Sequence, residues 1–176
     1  MTKADIINKA ERFCKENNIG SYPVDVVKLC RARDIWVFEC LLPSDVSGFI
    51  VIQDEPFENF GTGRLIAVNV SDSAARKRFT IAHELAHFIL HKKEGEAIYA
   101  HRDAGQSNEI ERQANTFASN ILMPKPLVLD VLSGIARGAH PSVMVDRVSY
   151  CFAVSADAAA VRLSQLGYVR GHAYGK

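Results

Sequence analysis

The order of apolar and polar positions in the N-terminal part of the chain predicts two helices followed by three strands. Apolar residues recur at helical spacing over 3–17, and a second helix is expected to open at residues 22–24. Three β-branched and aromatic runs then predict strands, at 35–40, 48–52 and 65–70. The last two strands are separated by a polar loop, so we expect them to pair as a hairpin.

The second half of the chain is predicted to be helical. A long helix is expected at about 73–91. Its predicted apolar stripe consists of Phe79, Ala82, Ala86 and Ile89. The polar residues 92–107 are typical of a loop, which can hold a short extended piece at 97–101. Asn108 is expected to cap the next helix, which Pro124 ends. The fold class is therefore α+β, with a small sheet of about three strands surrounded by helices.

Composition narrows the class of protein. The chain has 176 residues, 48% of them hydrophobic, and a net charge of +1, which argues against a basic nucleic-acid-binding arm. The four cysteines form no CxxC pair, so buried reduced thiols are expected rather than a metal knuckle. No apolar run approaches the roughly 18 residues that span a bilayer, and no apolar leader opens the chain. We therefore expect a cytoplasmic protein with no membrane partner.

The sequence HELAH, 83–87, carries the main chemical signal. Residues at i and i+4 share one face of a helix, so His83 and His87 can bind one metal ion through their ring nitrogens. Glu84 is turned by roughly 100° and is better placed to exchange protons with water beside the metal. The alternative is a helix that happens to carry two histidines on a solvated face.

A catalytic zinc usually needs a third protein ligand, and the helix that starts near 108 offers candidates. Glu111 can supply that ligand, while Asn115, one turn later, can hydrogen-bond the far nitrogen of a zinc-binding histidine. Glu109 is a rival ligand without an asparagine partner. Alternatively, Glu111 is only a first-turn acidic residue that the helix dipole favours.

Two segments resemble the ImmA/IrrE family of zinc metallopeptidases. They are RFTIAHELAHFILH, 78–91, and ERQANTFASNILMP, 111–124. Upstream, PVDVVKLCRARDIWVFE, SGFIV and LIAVN resemble the family's first helix and strands, so the likeness covers roughly 22–124. The resemblance implies a gluzincin-like minimal zinc peptidase over residues 1–124. A helical tail, 125–176, is then expected to pack on it as a candidate partner-docking element.

The resemblance also implies residue roles. His83, His87 and Glu111 become the metal ligands, and Glu84 becomes the general base of a zinc endopeptidase. The working ion is expected to be Zn²⁺, although a site with two histidines and a glutamate can also hold Mn²⁺. Ala86 stands where the family usually has glycine, a small-for-small exchange that should be tolerated. Asn120 stands where many members have glutamate, which we expect to affect packing or partner contacts rather than the metal.

The family implies a partner as well. Its members cut helix-turn-helix repressors of prophages, mobile elements or stress responses, often encoded nearby, and so relieve repression. The length here resembles the short, prophage-type members. The alternative is a module that retains zinc and sequesters a repressor or a toxin–antitoxin partner without cutting it.

Several other residues have weaker signals. Tyr99 and His101, on the loop between the two metal-binding helices, can place a hydrogen-bond donor near a developing oxyanion. His91 is expected to lie beside the site or on the surface, and the basic run 76–78 predicts a solvated turn. The last two helices of the tail resemble a helix-turn-helix in spacing, but the second offers only Arg162 as a basic residue. Direct nucleic-acid binding is therefore not expected.

Overall fold

The computed structural model describes residues 1–91, 98–100, 108–136 and 138–169. The helices are α1 (Lys3–Glu16), α2 (Val26–Arg31), α3 (Ala74–His91), α4 (Asn108–Leu122), α5 (Lys125–Ser133), α6 (Pro141–Phe152) and α7 (Ala156–Gln165). The strands are β1 (Trp36–Cys40), β2 (Gly48–Ile52), β3 (Arg64–Asn69) and β4 (Ile98–Ala100). The α+β prediction is confirmed.

The sheet has the strand order β1-β3-β2-β4. The predicted hairpin is confirmed, because β2 and β3 pair antiparallel with Ile50 opposite Ile66. β1 instead lies parallel to β3, which places Phe38 opposite Ala67. The short strand β4 pairs antiparallel with β2 and adds a fourth strand to the three that were predicted. It falls inside the stretch for which an extended piece was expected.

Helix α3 is the centre of the molecule. It packs between the sheet and α4, so its buried residues occupy more than one face. They are Thr80, Ile81, Ala82, Glu84, Leu85, Ala86 and His87. The predicted single stripe was therefore too narrow. Gly48 allows the close packing, because a Cβ atom there would lie 2.6 Å from Thr80 Cγ2 and 2.5 Å from the Ala67 carbonyl oxygen.

The tail helices share the core of the preceding part of the chain. Buried residues of α6 and α7, such as Phe152 and Leu163, join one hydrophobic cluster with residues of α1, α3 and α4. Arg162 is buried, and its Nε donates to the Met123 carbonyl oxygen at 3.0 Å. Burial lowers the pKa of Arg162 to about 10. The division at residue 124 stays a prediction, and this packing is in keeping with a tail that lies on the larger part.

The basic run at the start of α3 is engaged within the chain. Arg76 donates to Ser47 Oγ, and Lys77 Nζ lies 2.6 Å from Glu39 Oε2. Arg78 is half-buried and donates to the carbonyl oxygens of Val24 and Ala153. The predicted solvated turn was therefore wrong for Arg78, because tertiary packing brings backbone acceptors to its guanidinium.

Cysteine reactivity gives a first test of this packing. Burial raises the pKa of Cys14 to about 11 and that of Cys30 to about 12, whereas Cys40 and Cys151 are only partly buried. Because the thiolate is the reactive form, such shifts reduce its population at least about 100-fold at pH 8. With iodoacetamide, mass spectrometry should show two adducts forming quickly and two slowly. Fast labelling of Cys14 or Cys30, located by peptide mapping, would contradict the packing.

No helix in the described part of the chain is long and apolar enough to cross a bilayer.

Candidate metal centre

The two histidines of HELAH lie one turn apart on α3, as their spacing requires. Their Nε2 atoms are 3.0 Å apart, and their ring centroids are separated by 4.7 Å. His87 is buried and His83 is partly buried. The two Nε2 atoms therefore point at a common position rather than at separate regions of solvent.

The carboxylate of Glu111 reaches the same position from α4. Its Oε2 lies 3.2 Å from His83 Nε2, and its Oε1 lies 3.3 Å from His87 Nε2. Helix α4 is held there by α1, where the ring of Phe13 meets that of Phe117 edge-on at 5.5 Å. The structure thus brings together His83, His87 and Glu111, whose ligand atoms all lie within 4.8 Å of one another.

Asn115 fixes the orientation of one histidine. Its Oδ1 lies 3.0 Å from His83 Nδ1. Because an amide oxygen only accepts, His83 donates from Nδ1, and in the neutral ring this leaves the lone pair of Nε2 on the side of Glu111. This is the arrangement in which a neutral imidazole is ready to bind a metal.

The charge state of His87 also favours metal binding. Burial, with added repulsion from His83 and His91, lowers the pKa of His87 to about 3. The ring is therefore neutral at ordinary pH, which is the charge state in which an imidazole binds a metal.

The donor set fits a small divalent cation. Two imidazole nitrogens and a carboxylate converge with separations of 3.0, 3.2 and 3.3 Å. Tetrahedral zinc, with ligand distances of about 2.0–2.2 Å, places its ligands about 3.3–3.5 Å apart. Three lone-pair donors crowded at this distance repel one another unless a cation or protons lie between them. The residues present therefore suit zinc.

The remaining candidates occupy different surroundings. Glu84 is buried beside His83, with 6% of its surface exposed. Glu109, the rival ligand, is directed away from the histidines and pairs with Arg112 at 3.1 Å and Gln113 at 3.1 Å. The ring of His91 lies 5.4 Å from that of His87, centroid to centroid, and bonds to the backbone of Ile110.

The two candidates between α3 and α4, Tyr99 and His101, are described only in part by the structure. Tyr99 lies in β4, where its backbone is in register with Val51. Its side chain and the whole of His101 lie outside the described residues. Their suggested role as oxyanion donors stays a prediction.

Sequence reasoning missed one neighbour of the site. Phe79 was assigned to the apolar stripe, but its ring centroid lies 6.4 Å from that of His83. The signal was present in the spacing, because Phe79 precedes His83 by one turn on the same helix.

Comparison with known proteins agrees with this geometry. The sequence pattern of the family described as the IrrE N-terminal-like domain, Peptidase M78, matches residues 30–164. The chain belongs to this family. The predicted resemblance to the ImmA/IrrE family is thereby confirmed, and the match extends into the tail beyond residue 124.

Two known proteins are similar to this chain. The chain is 23% identical over 107 residues to a protein named metallopeptidase ImmA from Bacillus subtilis (strain 168), an overlap of 61% of this chain and 60% of that protein. Its fold is similar to a solved structure titled Mycobacterium tuberculosis transcriptional regulator, with a TM-score of 0.57 and 20% identity. That likeness covers 98% of this chain and 49% of the other. The chain therefore spans about 60% of the first relative and just under half of the second.

Proposed function

We propose that this protein is a zinc-dependent endopeptidase that cuts a helix-turn-helix transcriptional repressor at a specific site and so relieves repression. The observation that carries the proposal is the convergence of His83, His87 and Glu111 on one point. That convergence lies next to a buried glutamate, in a chain whose family is named for peptidases.

Each residue has a distinct task in the proposed reaction. His83, His87 and Glu111 would hold the ion, and Asn115 keeps the His83 ring in the tautomer that leaves Nε2 free. When bound, zinc supplies Lewis acidity, which polarises a peptide carbonyl and lowers the pKa of water. The carboxylate of Glu84 takes a proton from the attacking water and then delivers it to the leaving amine. Its burial keeps bulk water from competing for that proton.

The second part of the proposal is that the substrate is a transcriptional repressor. It rests on the relationship to a protein named metallopeptidase ImmA and on the family resemblance of the two helix motifs. The family resemblance implies low activity on generic substrates, so casein is a poor test.

The proposal is tested by co-expressing the protein with the repressor encoded beside it and reading repressor fragments by intact mass. Two complementary fragments are expected when the peptidase is present, and none when the repressor is expressed alone. Adding a chelator to the purified pair should stop cleavage. An intact repressor held in a stable complex would instead support a sequestering module, and an intact repressor without a complex would contradict the proposed substrate.

A further inference from the structure

Strand β1 carries an aromatic cluster on the face of the sheet that points away from α3. Trp36 and Phe38 stack with their ring centroids 6.0 Å apart, and Phe60 meets both edge-on at 5.6 and 5.1 Å. We call these three residues the outer aromatic cluster. Trp36 remains 49% exposed and Phe60 37% exposed. Large aromatic side chains that stay this accessible next to one another are typical of an interaction surface.

The same strand lies at an edge of the sheet. β1 is the last strand in the order β1-β3-β2-β4, and among the described strands it pairs with β3 alone. The Val70 amide donates to the Cys40 carbonyl oxygen at 2.9 Å, so Cys40 and, by alternation, Phe38 direct their backbone groups toward β3. The amide and carbonyl groups of Val37 and Glu39 therefore point outward. Within the described ranges they have no backbone partner.

Nothing in the sequence of β1 protects this edge. Edge strands usually avoid pairing with other chains by means of a lysine, a proline or a bulge. The strand reads WVFEC and contains neither lysine nor proline, and it runs in unbroken register with β3. Its one charge, on Glu39, is neutralised by Lys77.

We propose that this edge is a homodimer interface, in which β1 pairs antiparallel with β1 of a second copy of the chain. A register centred on Phe38 places Val37 of each copy opposite Glu39 of the other. Because these are the residues with outward backbone groups, both pairs can exchange hydrogen bonds in each direction. The free edges disappear, and two four-stranded sheets become one continuous sheet.

Charge and shape make a second copy the fitting occupant. The register sets each Glu39 opposite an apolar valine, so like charges do not face each other. Antiparallel pairing also brings the exposed Arg31 toward the exposed Asp45 of the other copy, whereas Arg33 is held within its own chain by Asn17 and the Leu29 carbonyl oxygen. A two-fold axis perpendicular to the sheet keeps both outer aromatic clusters on one face, where Trp36 lies across from Cys40 of the second copy.

The proposal concerns a surface on the far side of the sheet from the metal ligands, so it is independent of the proposed function. A single added strand with one aromatic cluster is a modest contact compared with the roughly 800 Å² per partner of a standard interface. We therefore expect a dissociation constant in the micromolar range, and association that depends visibly on concentration.

The test uses sedimentation equilibrium of the full, zinc-loaded chain between about 1 and 200 µM. A reversible monomer–dimer equilibrium is expected. Trp36 is the only tryptophan in the sequence, so its fluorescence reports directly on the proposed surface. Its emission should shift to shorter wavelength as the dimer forms, with the same concentration dependence as the sedimentation data.

Two variants address the edge and the cluster separately. Val37→Pro removes an outward amide without touching the bonds between β1 and β3, and Trp36→Lys places a charge in the cluster. Each should weaken dimerisation at least tenfold while circular dichroism stays that of the wild type. Tyr150→Lys is the matched control, because Tyr150 is 83% exposed on α6 and outside the sheet.

The outcomes separate the alternatives. A monomer at every concentration overturns the proposal. A dimer that persists in both the Val37→Pro and the Trp36→Lys variants also overturns it. So does a dimer that is weakened by Tyr150→Lys alone. If Val37→Pro fails to fold, the Trp36→Lys variant and the wild-type fluorescence shift decide the matter together. A monomeric protein that instead binds another protein through β1 would show that strand addition occurs with a different partner, which also contradicts self-association.

Discussion

Replacing Glu84 by glutamine is expected to lower the rate of repressor cleavage by roughly 10²–10⁴-fold, the range typical of a lost general base. Glutamine has nearly the same shape as glutamate, so the buried position beside His83 should be filled without a cavity. It cannot accept and return a proton, however. The three proposed metal ligands are untouched, so the zinc content after desalting should remain about one ion per chain.

The effect of Glu84→Gln is interpreted by comparing the rate of repressor cleavage with the zinc content of the variant. Glu16→Gln makes the same chemical change at the exposed end of α1 and should leave both quantities at the wild-type value. If the Glu84→Gln protein lost its zinc, the glutamate would be a structural part of the site. If it kept full activity, another group would be the base, and Tyr99 and His101 would be the next residues to substitute.

Removing Glu111, the proposed third ligand, should have the largest effect on metal binding. In a Glu111→Ala protein the two histidines keep their spacing, but the carboxylate that lies 3.2 and 3.3 Å from their Nε2 atoms is gone. We expect zinc affinity to fall by more than the roughly 10–100-fold that is typical for loss of an orienting partner. Asn115→Ala, which removes such a partner of His83, should fall within that lower range. Competition with a fluorescent zinc chelator measures both values.

Glu109→Ala is the matched control for the Glu111 variant. Glu109 lies on the same turn of α4, but its carboxylate pairs with Arg112 and Gln113. Its loss should leave zinc affinity unchanged, because exposed ion pairs contribute little. If Glu109→Ala weakened zinc binding more than Glu111→Ala, the assignment of the third ligand would be wrong. If neither variant weakened zinc binding, neither carboxylate would be a ligand of the metal.

The burial of His87 has a consequence for metal loading. A histidine whose pKa is lowered to about 3 is already neutral at physiological pH, so binding of the ion releases no proton from it. The hydrogen bond from His83 Nδ1 to Asn115 orients the other imidazole ring for metal binding. Both imidazoles are therefore set for a cation by the folded chain itself.

The sequence by itself determined the parts of this protein that depend on local geometry. A helix repeat of 3.6 residues forces His83 and His87 onto one face, and apolar spacing defined α1, α3 and the β2–β3 hairpin closely. The motif pair also identified the family, which the match over residues 30–164 confirmed. These features follow from contacts between residues close in sequence, so a single chain read in order is enough to predict them.

The motif resemblance favoured Glu111 over Glu109, and the tertiary structure shows that the carboxylate of Glu111 is the one beside the histidines. Both lie in the first turn of α4, and the rotation of that helix against α3 determines which carboxylate faces the histidines. The parallel pairing of β1 with β3, the pairing of the short piece at 98–100 with β2 and the carbonyl acceptors of Arg78 were not predicted from the sequence. Each depends on how distant segments pack, and apolar periodicity specifies which face of an element is buried but not which partner buries it.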